Sequence, residues 1–236
     1  MRRTLIAALA LGALFVGGSA LRAQTIPSPI RYVDPKQSFG ISGGYLFTSP
    51  AVEINDEQIE FGPQSGPLVT ARYQIRFGGP LSGEARVSFS PTQRKVYAPT
   101  DEPDPELFVP EELGEEDVAL LMGEAGLVFH LTGPRTWHGL APFVAGTGGL
   151  AADLAGGSDL EEDLAENARY EFGPSFALGL GAGTDWFPTR RLSVRLEARD
   201  HLWKIQAPAL IENRANANLS EWTHNFSLSF GAAFHF

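Results

Sequence analysis

An all-β fold, an eight-stranded antiparallel up-and-down transmembrane β-barrel, is predicted by three observations on this chain of 236 residues. Eight segments of about ten residues alternate apolar with polar or small side chains. The connections between them alternate long and short, and the charges of several segments share one face while the last segment ends on an aromatic residue. Successive side chains of a strand point to opposite faces, so a barrel set in lipid needs one apolar face and tolerates a polar one inside.

The first element is a leader. Met1, Arg2 and Arg3 make a positive head, Leu5 to Val16 carry no charge, and Gly17, Gly18, Ser19 and Ala20 are small. That order is the pattern of a secretory signal peptide, and its apolar run is shorter than the roughly 20 residues a helix needs to span a bilayer. Cleavage after Ala20 fits a small-x-small rule through Gly18, whereas cleavage after Ala23 leaves Gln24 first but sets Leu21 at a less suitable position; both stay open. Residues 1–23 are thus read as signal peptide, 24–37, with Pro27, Pro29 and Pro35, as an extended periplasmic lead-in, and 38–236 as the barrel.

The strands follow in order. From Ser38 to Thr48 the apolar face carries Phe39, Ile41, Tyr45 and Phe47, with Leu46 out of phase. Val69 to Phe77 alternates with Thr70, Arg72, Gln74 and Arg76 on the polar side. After the short Gly78–Ser82 turn, Ala85, Val87 and Phe89 oppose Glu84, Arg86, Ser88 and Ser90. Val118 to Leu131, with Glu124 and His130 on its polar face, also admits a buried helix, but Gly123 and Gly126 each weaken a helix by about 1 kcal/mol. Leu140 to Ala151 is rich in glycine, and Pro142 must lie near its end. Phe176 to Trp186 sets apolar residues against Gly179, Gly181, Gly183 and Asp185. Arg191 to Trp203 places Arg195, Glu197, Arg199 and His201 together, with Asp200 breaking the pattern; Asn225 to Phe236 alternates phenylalanines with small or polar residues.

The long connections are 49–68, 91–117, 152–171 and 204–223, and the short ones are 78–82, 132–139 and 187–190. Transmembrane barrels keep short turns in the periplasm, which puts both ends of this barrel there. A soluble barrel would turn the apolar face inward, and alternation alone does not say which face is inside. The charges that share one face and the aromatic end favour lipid on the outside.

The terminal stretch Phe226 to Phe236 and the segment Arg195-Leu-Glu-Ala-Arg-Asp200 resemble the small outer-membrane β-barrel family, of which the OmpA transmembrane domain, OmpX and OmpW are examples. The resemblance implies an outer-membrane location, membrane lipid and lipopolysaccharide as neighbours, and Phe230, Phe234 and Phe236 as a signal read by the barrel-assembly machinery. No peptidoglycan-binding domain follows Phe236, so tethering to the cell wall by that route is not expected.

Loss of Arg2, Arg3 and Arg22 with the leader takes the formal charge from −10 to −13, which disfavours nucleic acid as a partner. Cysteine is absent, so thiol chemistry is excluded. An eight-stranded barrel is only wide enough to be filled by its own side chains. Arg72, Arg76, Arg86, Arg195 and Arg199 against Glu84, Glu124, Asp185 and Glu197 therefore predict a nearly neutral ion-pair network, with Glu197 pairing Arg72 or Arg86 first. The same residues could instead line an ion or proton path.

Nine acidic residues between Asp101 and Asp117, and six between Asp153 and Glu166, read as solvated loops, with divalent-cation bridges to lipopolysaccharide as the alternative. Their spacing defines no metal site. His201, His224, Asp200, Ser220 and Glu221 form the one constellation that chemistry could use, and His201 and His224 are expected as neighbours. The glycines at 179, 181 and 183 lack the following helix of a nucleotide fingerprint, so no cofactor is expected. The function expected is a non-enzymatic barrel that supports the envelope and presents acidic loops; a narrow OmpW-like channel comes second and an outer-leaflet lipid-modifying enzyme third.

Overall fold

The computed structural model describes residues 28–33, 35–155, 159–170 and 172–236. The predicted signal peptide and its two alternative cleavage sites lie outside the described residues. The elements are β1 (Ile30–Tyr32), β2 (Gln37–Phe47), β3 (Ala51–Ile54), β4 (Glu57–Glu60), β5 (Gly66–Gly78), β6 (Leu81–Ala98), β7 (Glu111–His130), β8 (Arg135–Trp137), β9 (Leu140–Asp153), β10 (Ser175–Trp186), β11 (Leu192–Gln206), α1 (Ala209–Ala215) and β12 (Ser220–His235).

Eight strands close the barrel in the order β2-β5-β6-β7-β9-β10-β11-β12, and β12 returns to β2 from Phe226 opposite Phe47 to His235 opposite Ser38. Every neighbouring pair is antiparallel. Closure leaves no edge, which is what a membrane without water to satisfy backbone groups requires.

Period two sorts the side chains. Phe230 is 63% exposed on the outer face, while Arg195, Glu197 and Arg199 on the inner face are 2%, 2% and 1% exposed. That contrast decides inside from outside. A continuous apolar outer surface has to face lipid, because in water it would be a large unpaid-for patch of hydration.

Two features depart from the expected boundaries. β6 runs on to Ala98 and β7 begins at Glu111, so Glu111, Glu112, Glu115, Glu116 and Asp117 stand on a strand and not in a loop. The register explains it, since it sets the run beside β6: Gln93 Nε2 donates to Asp117 Oδ1 at 3.2 Å, and Lys95 Nζ lies 3.4 Å from Glu112 Oε2. Opposite charges across a ladder stabilise pairing, and the acidic run extends the strand where its own self-repulsion alone would melt it. The lead-in also pairs, since β1 lies antiparallel to β8 in the connection between β7 and β9.

The extracellular connections are folded and packed together. β3 and β4 form a hairpin whose Asn55 and Asp56 take φ of 48° and 64°, the left-handed pair a tight hairpin turn needs. Asn55 Nδ2 donates to the Pro105 and Phe108 carbonyls, both at 2.8 Å, and so ties the next connection to this hairpin. Phe108, Tyr170, Phe172 and Ile211 of α1 are all buried against Leu46, Leu68, Leu120, Met122, Trp203 and Ile205 of the barrel wall.

Candidate functional site

The lumen is filled in two zones. The zone nearer the periplasm is ionic. Arg195 donates to both oxygens of Asp185 at 2.8 and 2.7 Å, reaches Glu84 Oε2 at 3.1 Å, and lays its guanidinium 4.1 Å from the Phe143 ring centroid. Glu197 Oε1 accepts from Arg86 Nη1 and from Arg199 Nε, both at 2.7 Å. Thr147 Oγ1 accepts from Arg199 Nη1 at 2.8 Å and donates to Glu124 Oε1 at 2.9 Å. Each of these charges would cost several kcal/mol if buried alone, and interleaving them is what makes burial tolerable.

Strand register sets who meets whom. Arg72 and Arg86 are directly opposite each other on β5 and β6, as are Arg86 and Glu124 on β6 and β7. Glu197 accordingly pairs with Arg86, whereas Arg72 reaches Asp185 at 3.9 Å and does not touch Glu197 among the contacts described. Arg76 stands below the network, where it lines a water-sized cavity of about 20 Å³ with Lys36, His130, Asp185 and His235. Gln74, His130, Ser193, Ser227 and His235 also face inward; the polar parity of their strands carried that signal, but the sequence reading counted only full charges.

Inward glycines on β10 make the room. A Cβ on Gly179 would run into the Thr147 hydroxyl, the Glu124 carboxylate and the Arg199 guanidinium, and one on Gly181 would press on the same guanidinium. Their place is to admit Arg199.

The zone nearer the extracellular side is apolar. Leu46, the residue out of phase in the first segment, points inward here with Leu68, Val118, Leu120, Met122, Trp203 and Ile205. The ion-pair network therefore fills only part of the interior: inward positions turn apolar at the outer ends of β2, β5, β7 and β11. All four long connections supply the cover, and Phe61 packs between Tyr97 and Tyr170 at centroid distances of 5.2 and 6.5 Å.

One residue of the second acidic run belongs to this cover. Glu161 is buried and is held bidentately by Arg94, Nη1 to Oε1 at 3.1 Å and Nη2 to Oε2 at 2.7 Å, while the Tyr170 amide donates to Oε1 at 3.1 Å. Arg94 also stacks 5.3 Å over the Tyr170 ring, and burial pushes the Tyr170 phenol above its ordinary value. The reading of that run as merely solvated fails at this residue, because a loop carboxylate finds a strand guanidinium within the cover.

The two histidines expected as neighbours stand on opposite faces of the wall. His201 is fully buried inside, and His224 is outside with its Nδ1 2.7 Å from Asp200 Oδ2. Successive positions of opposite parity on paired strands forced that separation, since Leu202 and not His201 is opposite His224. Inside, His201 Nε2 lies 3.1 Å from Ser227 Oγ and its Nδ1 3.7 Å from Glu124 Oε2, the order of a nucleophile, base and acid. Ser227 is 2% exposed, so no substrate carbonyl has a place beside it. Among the described residues no three metal-ligating side chains converge.

The sequence pattern of the outer membrane protein beta-barrel domain matches residues 7–234. The chain belongs to this outer-membrane β-barrel family. It resides in the outer membrane, with the phenylalanine-bearing face against lipid. No curated protein matches it. Among solved structures, OprG from Pseudomonas aeruginosa is similar over 86% of this chain and 98% of its own, at 13% identity and a TM-score of 0.50. Neisserial surface protein A is similar over 85% and 97%, at 14% identity and a TM-score of 0.48. At such identities the likeness is one of fold alone.

Proposed function

We propose that the protein is a non-enzymatic barrel with a plugged lumen, which supports the outer membrane as a barrier and presents an acidic extracellular surface. The observation that carries this reading is the double filling of the interior, ionic below and apolar above, with all four extracellular connections packed over the top. Water and ions have no ready path through a lumen filled in this way. The purified protein in planar bilayers is expected to give no reproducible open events, and a steady single-channel current would overturn the plugged reading. A strain lacking the protein should grow less well in bile-salt detergent, and unchanged growth would remove the envelope role.

A narrow channel for small apolar solutes is the second reading, and one observation favours it. The β5–β6 ladder stops at Val69 opposite Phe89, above which Pro67 and Pro91 have no amide hydrogen to give. Ser90 Oγ and Thr92 Oγ1 donate instead to the Pro67 and Gln64 carbonyls at 2.7 and 2.5 Å, beside an outer cleft of about 520 Å³. If apolar solutes leave through this seam, proteoliposomes should take up an alkane tracer. The Pro67→Thr, Pro91→Thr double variant, which restores both amide donors, should then abolish that uptake.

The last strand supports a role in assembly. Phe230, Phe234 and Phe236 face outward at 63%, 48% and 59% exposure, so they are free for the barrel-assembly machinery to read. Deleting Phe236 should leave more of the chain unfolded in the periplasm; equal insertion of both forms would exclude that role.

A further inference from the structure

Lipid-facing positions of a barrel are apolar, and a carboxylate among them needs a reason. Asp200 faces outward on β11, opposite Leu180 on one side and Phe226 on the other. It lies eight residues above Leu192, the first residue of its strand. At a rise of roughly 3.3 Å per residue and a tilt of about 40°, that is about 20 Å up a belt of about 25 Å. His224, opposite Leu202, then stands at the outer edge of the belt, and Lys204, opposite Trp222, just above it.

The three polar groups form one outward ladder. Asp200 Oδ2 holds His224 Nδ1 at 2.7 Å, and the His224 side chain is 73% exposed against 32% for Asp200. The carboxylate is the more covered of the two, and with Nδ1 held by Asp200 the nitrogen left for a ligand is Nε2. Lys204 has no carboxylate partner among the described residues, unlike Lys95 of β6, which is 3.4 Å from both Glu60 and Glu112. Trp222 beside it is 49% exposed, an aromatic at the level where headgroups begin. Glu221 belongs to the opposite parity and does not share this face.

We propose that Lys204 and His224 form a subsite for the phosphoryl group of an outer-leaflet glycolipid, with Asp200 as the positioning residue that fixes the imidazole. An ammonium and an imidazole nitrogen side by side at the hydrocarbon edge match a phosphate whose acyl chains descend along Leu202, Phe226 and Leu180. Imidazole Nε2 donates to a phosphate oxygen when protonated and accepts from a phosphate hydroxyl when neutral, so contact persists in both states. The inference deepens the envelope reading by naming the lipid chemistry the wall would hold, and it rests on that reading for its relevance in the cell.

The test is native mass spectrometry of the full-length mature protein, released from detergent doped with bisphosphorylated lipid A, the same lipid stripped of its phosphates, or phosphatidylethanolamine. Folding of each variant is checked by heat-modifiable migration in gels. Bisphosphorylated lipid A should stay bound to the wild type, and Lys204→Ala or His224→Ala should each reduce the adduct about fivefold, with a greater loss in the double variant. Asp200→Asn should weaken the adduct less. The stripped lipid should bind wild type and double variant alike. Equal lipid A adducts on wild type and double variant, or equal retention of the stripped lipid by the wild type, would overturn the subsite. Loss of detergent resistance in a deletion strain alongside equal adducts would leave the envelope role standing without this subsite; strong adducts with no deletion phenotype would do the reverse.

Discussion

Glu197→Gln lowers the melting temperature of the detergent-solubilised barrel by about 10 °C. The substitution keeps the side chain's shape but removes the charge that Arg86 and Arg199 share at 2.7 Å and that Arg195 approaches at 3.6 Å. Removing one partner of a buried ion pair costs about 3–5 kcal/mol because the other charge stays buried without compensation. For a domain of this size each kcal/mol is worth roughly 2–4 °C. Arg86 and Arg199 would be left with Glu84 and Glu124, and Arg195 with Asp185 and Glu84. The double variant Arg86→Met, Glu197→Met removes one charge of each sign and should recover most of the loss, since well-packed apolar pairs replace buried ion pairs at little cost. An unchanged transition in Glu197→Gln, followed by circular dichroism, would mean that the charges are not coupled.

Arg94→Ala frees the connection between β9 and β10 and raises tryptic cleavage after Arg169 about a hundredfold. In the folded protein Arg169 is itself held, Nε to the Leu164 carbonyl at 3.1 Å and Nη2 to the Glu162 carbonyl at 2.8 Å. The segment is anchored to the barrel through the Glu161 carboxylate on Arg94. Losing that bidentate pair makes local opening easier by about 3 kcal/mol, and cleavage by dilute protease follows the open population. Barrel melting should move far less, because Glu161 can swing into water while Glu197 cannot. Arg94→Lys keeps the charge but only part of the fork and should fall between. If the Arg94→Ala protein is cut no faster than wild type, the pair does not latch the cover.

The two substitutions divide the molecule along the same line as the sequence reading. Strand count and face parity were legible because side-chain direction repeats every two residues, a local property of extended backbone that no distant contact can change. Arg195, Glu197 and Arg199 fall on one face by counting alone, and so did Phe226 to Phe236 on the other. Trp203 and Ile205 share the parity of Arg199, so the apolar upper lumen is present in the same count, but an apolar side chain, unlike a charge, does not say which face of the wall it lines.

What no count could supply is register. Whether Glu197 meets Arg72 or Arg86 depends on a closed circuit of eight ladders, and His201 and His224 part company because Leu202 occupies the opposing position. The cover lay further still from the sequence, since Glu161 reads as one acid among six until Arg94, 67 residues earlier in the chain, is brought against it. The sequence by itself determined the barrel and which residues share each of its faces, because these follow from local backbone geometry in lipid. Tertiary structure alone decided which charges neutralise one another and that the extracellular connections close the lumen, because both depend on contacts between residues far apart in the chain.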